Sequence, residues 1–134
     1  MRQIIFRAQD IASNKWYYGD LRLHKNDVCI FGQETLFGEQ VKEETVGQCT
    51  GMKDINGTTI WEGDIVEVTC LKANERLGEK IRAYVAYDDD MAAFVLCNGE
   101  NKAHGSALYN NRNVAAFEVI GNIHENAELL QGKM

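Results

Sequence analysis

Gly47-Gln48-Cys49-Thr50-Gly51-Met52-Lys53-Asp54-Ile55-Asn56-Gly57, running on to Ile60-Trp61-Glu62-Gly63-Asp64-Ile65-Val66, decides the fold. Asn-Gly tolerates positive φ at both central positions of a hairpin turn, so Asn56-Gly57 predicts a type I′ turn. Glu62-Gly63-Asp64 predicts a second tight turn, with the carboxylates capping local backbone N–H groups. Thr58-Thr59-Ile60 is the short strand between them. Ile65-Val66-Glu67-Val68-Thr69-Cys70 then alternates, with Ile65, Glu67 and Thr69 on one face and Val66, Val68 and Cys70 on the other.

The same grammar extends toward the N-terminus. Arg2-Gln3-Ile4-Ile5-Phe6-Arg7-Ala8 is short and β-rich, and Asp10 to Asn14 supplies turn residues. Lys15 to His24 reads as a strand in which Leu21, Arg22, Leu23 and His24 alternate apolar and polar. Lys25-Asn26-Asp27 turns the chain into Val28-Cys29-Ile30-Phe31. Gly32 to Lys42 reads as a loop, and Glu43 to Thr50 as the start of the next strand.

Toward the C-terminus, Lys72 to Glu79 reads as a polar loop. Ile81 to Tyr87 and Ala92 to Cys97 flank Asp88-Asp89-Asp90 and predict a hairpin. Asn98 to Gly105 is a second loop, and Val114 to His124 the last long strand. Glu125 to Leu130 predicts a short helical turn with Asn126 as its N-cap. Short strands with turn signals every ten or so residues argue for a curled sheet or small barrel. A glycine for sharp entry, an aspartate for turn N–H groups and an alternating wall strand, as in Gly63-Asp64-Ile65-Val66-Glu67-Val68, is common in SH3-like barrels.

A chain of 134 residues is sized for one domain, and 45% hydrophobic content suits a self-sufficient core. Proline is absent, so the twelve glycines share the turns with Asn and Asp. The formal charge is −6 and its distribution is uneven. Met1 to Asn26 carries Arg2, Arg7, Lys15, Arg22 and Lys25 against Asp10 and Asp20, while the remainder is strongly acidic. That balance argues against a groove following a phosphate backbone, yet leaves room for a basic N-terminal face. No apolar stretch reaches the ~18 residues a membrane span needs. No signal-peptide pattern follows Arg2 and Arg7, so a cytoplasmic location is expected. Cys29, Cys49, Cys70 and Cys97 form no knuckle and read as reduced, buried thiols.

Candidate chemistry is thin. Asp88-Asp89-Asp90 is the one dense carboxylate run, but consecutive strand residues point in opposite directions and converge poorly on a cation. It reads as a solvated hairpin tip. His24, His104 and His124 share no local motif with a nucleophile, and Glu62 with Asp64 reads as turn capping. No phosphate-loop spacing occurs. The remaining candidate is Lys15, Trp16, Tyr18 and Arg22. Strand alternation places Trp16 and Tyr18 on one face with Tyr17 on the other, so two rings with flanking cations would offer a stacking platform for single-stranded nucleic acid. Core and cross-strand packing is the competing reading of those rings.

At these residues the chain resembles the YopX family, small proteins of phages and prophages. Ile5-Phe6-Arg7-Ala8-Gln9-Asp10 is similar to the family's "FRAWD"-like opening, with Gln9 where tryptophan is usual. Gln48 to Val66 resembles the central "QxTGLKDKNGKEIYEGDIV" stretch. Phe117-Glu118-Val119-Ile120-Gly121-Asn122-Ile123-His124-Glu125-Asn126 resembles the C-terminal "xEVIGNIYENPELL", with Ala127 where proline is usual. The resemblance implies a mainly β (α+β) domain over 1–134. Its parts would be a small N-terminal strand-rich portion over about 1–45 and an SH3-like barrel or roll over about 46–126. It implies no catalytic, metal or cofactor residue and no known molecular function. The expectation is therefore a non-enzymatic accessory protein that binds a protein or itself, with nucleic-acid binding as the alternative.

Overall fold

Antiparallel pairing accounts for almost all of the regular structure. The computed structural model describes residues 3–32, 38–71, 77–97, 106–107 and 114–131. Two compact units divide between Cys49 and Thr50.

The first unit holds β1 (Phe6–Gln9), β2 (Trp16–His24), β3 (Asp27–Phe31), β4 (Glu39–Gln40) and the start of β5 (Gly47–Lys53). A 3₁₀ turn, Glu43–Thr45, precedes β5. The strand order is β4-β3-β2-β1-β5. The turn expected at Asp10–Asn14 forms because the Asp10 carboxylate accepts the N–H groups of Ala12 and Ser13 at 2.9 and 2.8 Å. Ala8, Val28, Ile30 and Val41 are the core, with Phe6, Tyr17 and Leu21 packed against it. Gly19 is required by close approach, since a Cβ there would lie 2.2 Å from the Phe31 carbonyl oxygen. The loop expected over Gly32–Lys42 contains β4, held by register pairs Cys29↔Gln40 and Ile30↔Glu39; residues 33–37 lie outside the described residues.

The second unit receives the end of β5 and adds β6 (Thr59–Trp61), β7 (Asp64–Leu71), β8 (Leu77–Asp88), β9 (Ala93–Cys97), β10 (Ser106–Ala107) and β11 (Val114–Asn122). A closing 3₁₀ turn covers Ala127–Leu130. Five strands form an antiparallel sheet in the order β10-β9-β8-β7-β11. Its principal core is Ile60, Val66, Val68, Ala83, Val85 and Leu96. Alternation sets the lining, because Val66 pairs with Ala83 and Val119, and Val85 with Leu96. The residue order thus chooses the packed face.

The mainly β expectation holds, and several details are corrected. The five-stranded sheet is open and not closed into a barrel, because β10 and β11 lie at its two ends. Among the described residues no α-helix supports the α part of the α+β reading. The Asn56-Gly57 turn is not type I′: Gly57 has φ +83° while Asn56 is not among the positive-φ residues. The Asp54 side chain organises this loop instead, and the Gly57 N–H closes onto the Asp54 carbonyl at 3.0 Å. Ile65 and Val66 face opposite ways, yet both are fully buried, so β7 begins covered on both sides. Asn126 sits at the N-cap position without capping; its Oδ1 accepts the Asn122 N–H at 3.1 Å. The loop expected over Lys72–Glu79 gives way to β8 from Leu77. Residues 72–76 and the loop expected at 98–105 lie outside the described residues.

Candidate functional site

Turn carboxylates come first, since they are the groups that acid–base or metal chemistry would need. Asp64 is buried and accepts the Trp61 N–H at 2.8 Å. Asp88 accepts the Asp90 N–H at 2.9 Å. Asn122 accepts the N–H groups of His124 and Glu125, each at 2.9 Å. These are turn-forming bonds, in which the side chain replaces a strand partner for the backbone.

Asp54 does more. Its Oδ1 accepts Asn56 and Thr58 N–H at 2.8 and 2.9 Å, and its Oδ2 accepts the Val119 N–H at 2.9 Å, across 65 residues. The neighbouring Ile55 N–H donates to the Phe117 carbonyl at 3.0 Å. One loop thereby fastens the β5–β6 hairpin to β11. Burial pushes the Asp54 carboxyl up, but the three N–H donors outweigh it and hold it below the usual carboxylate range. Asp10 is likewise held low by the Ser13 and Ala12 N–H groups. Burial raises the Tyr17 phenol, with the Glu39 and Asp10 carboxylates adding to it, and burial beside Cys97 raises that of Tyr84.

Among the described residues no three His, Cys, Asp or Glu side chains converge as metal ligands. Asp89 and Asp90 are exposed at the β8–β9 hairpin tip. His24 is exposed, His124 half-buried, and His104 lies outside the described residues. Cys49 and Cys97 are buried and Cys29 half-buried; the Cys70 side chain lies outside the described residues. Among the described residues no helix is long and apolar enough to cross a membrane.

The four residues singled out for nucleic-acid contact all lie in or beside β2. Lys15 is exposed, with Nζ 5.6 Å from the centre of the Tyr17 ring. Trp16 is half-buried, and the Arg7 guanidinium lies 4.8 Å over its ring. Tyr18 is 48% exposed. Arg22 is exposed and lies 4.3 Å over Phe31. Register puts Trp16, Tyr18 and Arg22 on the side opposite the Ala8–Ile30 core, while Tyr17 packs against that core. The Trp16 and Phe31 rings each already carry a guanidinium.

Two surface features were missed by sequence reasoning. At the turn of the β2–β3 hairpin every residue from Arg22 to Asp27 is exposed, and Leu23 is 75% exposed. Alternation assigns Leu23 to the core side with Leu21, but it pairs with Val28 at the outer end of the sheet, where the core has ended. Met91 at the acidic tip of β8–β9 is 51% exposed. The signal available was position, since Met91 lies in the β8–β9 turn and Leu23 two residues before the β2–β3 turn.

In this arrangement the structure is similar to the crystal structure of protein EF1440 from Enterococcus faecalis. The TM-score is 0.54 at 23% identity, covering 98% of this chain and 100% of that one, a likeness of fold. No curated protein matches the chain. The model of the family described as YopX protein matches residues 5–131, spanning both units and all the motifs above, and the chain belongs to the YopX family.

Proposed function

We propose that this chain is a non-catalytic accessory protein of a phage or prophage. It works in the cytoplasm of the bacterial host by binding a protein partner or a second copy of itself. Its setting is supported by membership of a family that phages and prophages carry. The observation that carries the binding reading is the end of the β2–β3 hairpin, with Leu23 75% exposed among exposed polar neighbours. Fully burying such a side chain contributes about 2 kcal/mol, so a leucine held out on a hairpin end is worth most in a complex. The test is affinity purification of the full chain from a bacterial lysate, with and without nuclease, beside light scattering of the pure protein. A nuclease-resistant protein partner, or a mass that rises with concentration, is expected. A chain that stays monomeric up to about 500 µM, with no protein recovered, refutes it.

Nucleic-acid binding is the second reading, favoured by the shared exposure of Tyr18 and Arg22 on one side of β2. Loss of the recovered partner on nuclease treatment would select it.

A further inference from the structure

The two hairpin ends that carry exposed apolar side chains also carry opposite charge. We propose that the β2–β3 hairpin end docks onto a second copy of this chain, seating on the end of that copy's β8–β9 hairpin. This inference rests on the binding reading above and names its partner.

The donor end is Arg22-Leu23-His24-Lys25-Asn26, exposed throughout. Arg22 and Lys25 are its cations. The flanking Asp27 carboxylate accepts Gln40 Nε2 at 3.1 Å, which turns it along the sheet and not toward the tip. Arg22 and Leu23 leave opposite faces of β2, so the tip offers its cations together with the apolar Leu23 to a partner that meets it end-on. The acceptor end offers the matching set. Asp89 and Asp90 are exposed, Met91 is 51% exposed, and Tyr87 is 40% exposed with its ring edge-on to Phe94 at 5.4 Å. Charge complementarity therefore coincides with an apolar contact on both sides.

The charge distribution favours a second copy over a nucleic acid. Thr50–Met134 carries thirteen acidic residues against eight basic ones, so the acceptor end belongs to a negative unit that attracts the cationic tip. The chain's formal charge of −6 disfavours a phosphate chain as the partner. The two surfaces differ, so the contact is heterologous and leaves one free end on each terminal copy. Hairpin ends bury less than the ~800 Å² per partner of a standard interface, which makes the association weak and salt-sensitive.

The experiment is sedimentation equilibrium of the full chain across concentrations up to about 500 µM, at low salt and at about 0.5 M salt. A dissociation constant of about 100 µM at low salt is expected, weakening at least about tenfold at high salt. Two variants are then compared, R22E/K25E at the donor end and D89K/D90K at the acceptor end. Each should sediment as a monomer. Their equimolar mixture retains one intact donor and one intact acceptor, with both charges reversed on the other pair, and should regain dimer. Unchanged melting temperatures confirm that both variants fold, and Leu23→Ser probes the same contact without changing charge. A monomer at every concentration overturns the proposal, as does association that survives in both variants. Recovery of a host protein that Leu23→Ser loses, from a chain that stays monomeric, also overturns it. That last result leaves the general binding reading standing.

Discussion

Replacing Asp54 by alanine removes the acceptor of three backbone N–H groups. Those of Asn56 and Thr58 belong to exposed residues, so water substitutes and each loss costs about 0.5 kcal/mol. The Val119 N–H is on a half-buried strand 65 residues away and has no local substitute, so its loss costs about 1.5 kcal/mol. The sum is about 2.5 kcal/mol for Asp54→Ala, and about half of that for Asp54→Asn, which keeps one acceptor oxygen. At roughly 4 °C per kcal/mol, Asp54→Ala should melt about 10 °C below wild type near neutral pH. Acid titration gives a second axis. The folded carboxyl titrates below its ordinary value, so the unfolded chain takes up its proton first as pH falls. The carboxylate's contribution is complete above about pH 4 and drains away as pH falls through the folded value. Wild type and Asp54→Asn should therefore differ near neutral pH and converge in acid. Circular-dichroism melts at about pH 7 and about pH 3 make the comparison. A wild-type-like melting point for Asp54→Ala, or a stability gap that stays constant down to about pH 3, would show that this loop does not hold β11.

Gly19→Ala places a methyl group against the Phe31 carbonyl and should cost about 2 kcal/mol in a denaturant melt; a neutral result would mean β2 and β3 separate freely there. Gly57→Ala meets no atom within 4 Å, so its cost should be only the backbone strain of positive φ, about 1 kcal/mol. Ile60→Ala, at a fully buried position, should cost about 3 kcal/mol in the same melt, more than either glycine change. Lys15→Glu with Arg22→Glu should abolish salt-dependent retention of single-stranded DNA if the second functional reading holds; unchanged retention would remove the outer side of β2 as the contact.

Strand placement was legible where two signals agreed. Over Trp16–His24 the alternation and the flanking Asp10–Asn14 and Lys25–Asn26 turns pointed to one strand, and one strand forms. Legibility failed where a remote contact made the decision. Asn56-Gly57 has the composition of a type I′ turn, but the Asp54 carboxylate caps Asn56 and Thr58 and is also tied to Val119, and in this loop Gly57 alone takes positive φ. No window around residue 56 contains residue 119. Ile65 failed similarly, because alternation names two faces but cannot say whether both are covered. For the candidate surface, the sequence displayed Lys15, Trp16, Tyr18 and Arg22 as neighbours. It did not display that Arg7 and Arg22 lie over rings of other strands, which depends on the β1–β2 and β2–β3 register.

How the polar side chains are employed bears directly on where function can reside. Asp10, Asp54, Asp64 and Asn122 each accept backbone N–H groups at turns, which fixes their oxygens, and at Asp10 and Asp54 these bonds also hold the carboxyl below its ordinary value, which makes each a poor base. A catalytic role for any of them would require breaking the turn it makes. Side chains free of that obligation lie at the hairpin ends: Arg22, Leu23 and Lys25 on one, Asp89, Asp90 and Met91 on the other. A hairpin end can change sequence without disturbing the register behind it, because pairing at the base is set by core residues such as Ile30 and Val85. Recognition placed there is separable from folding. Charge reversal at either end should alter association while leaving the melting temperature in place, whereas substitution at Asp54 should do the opposite.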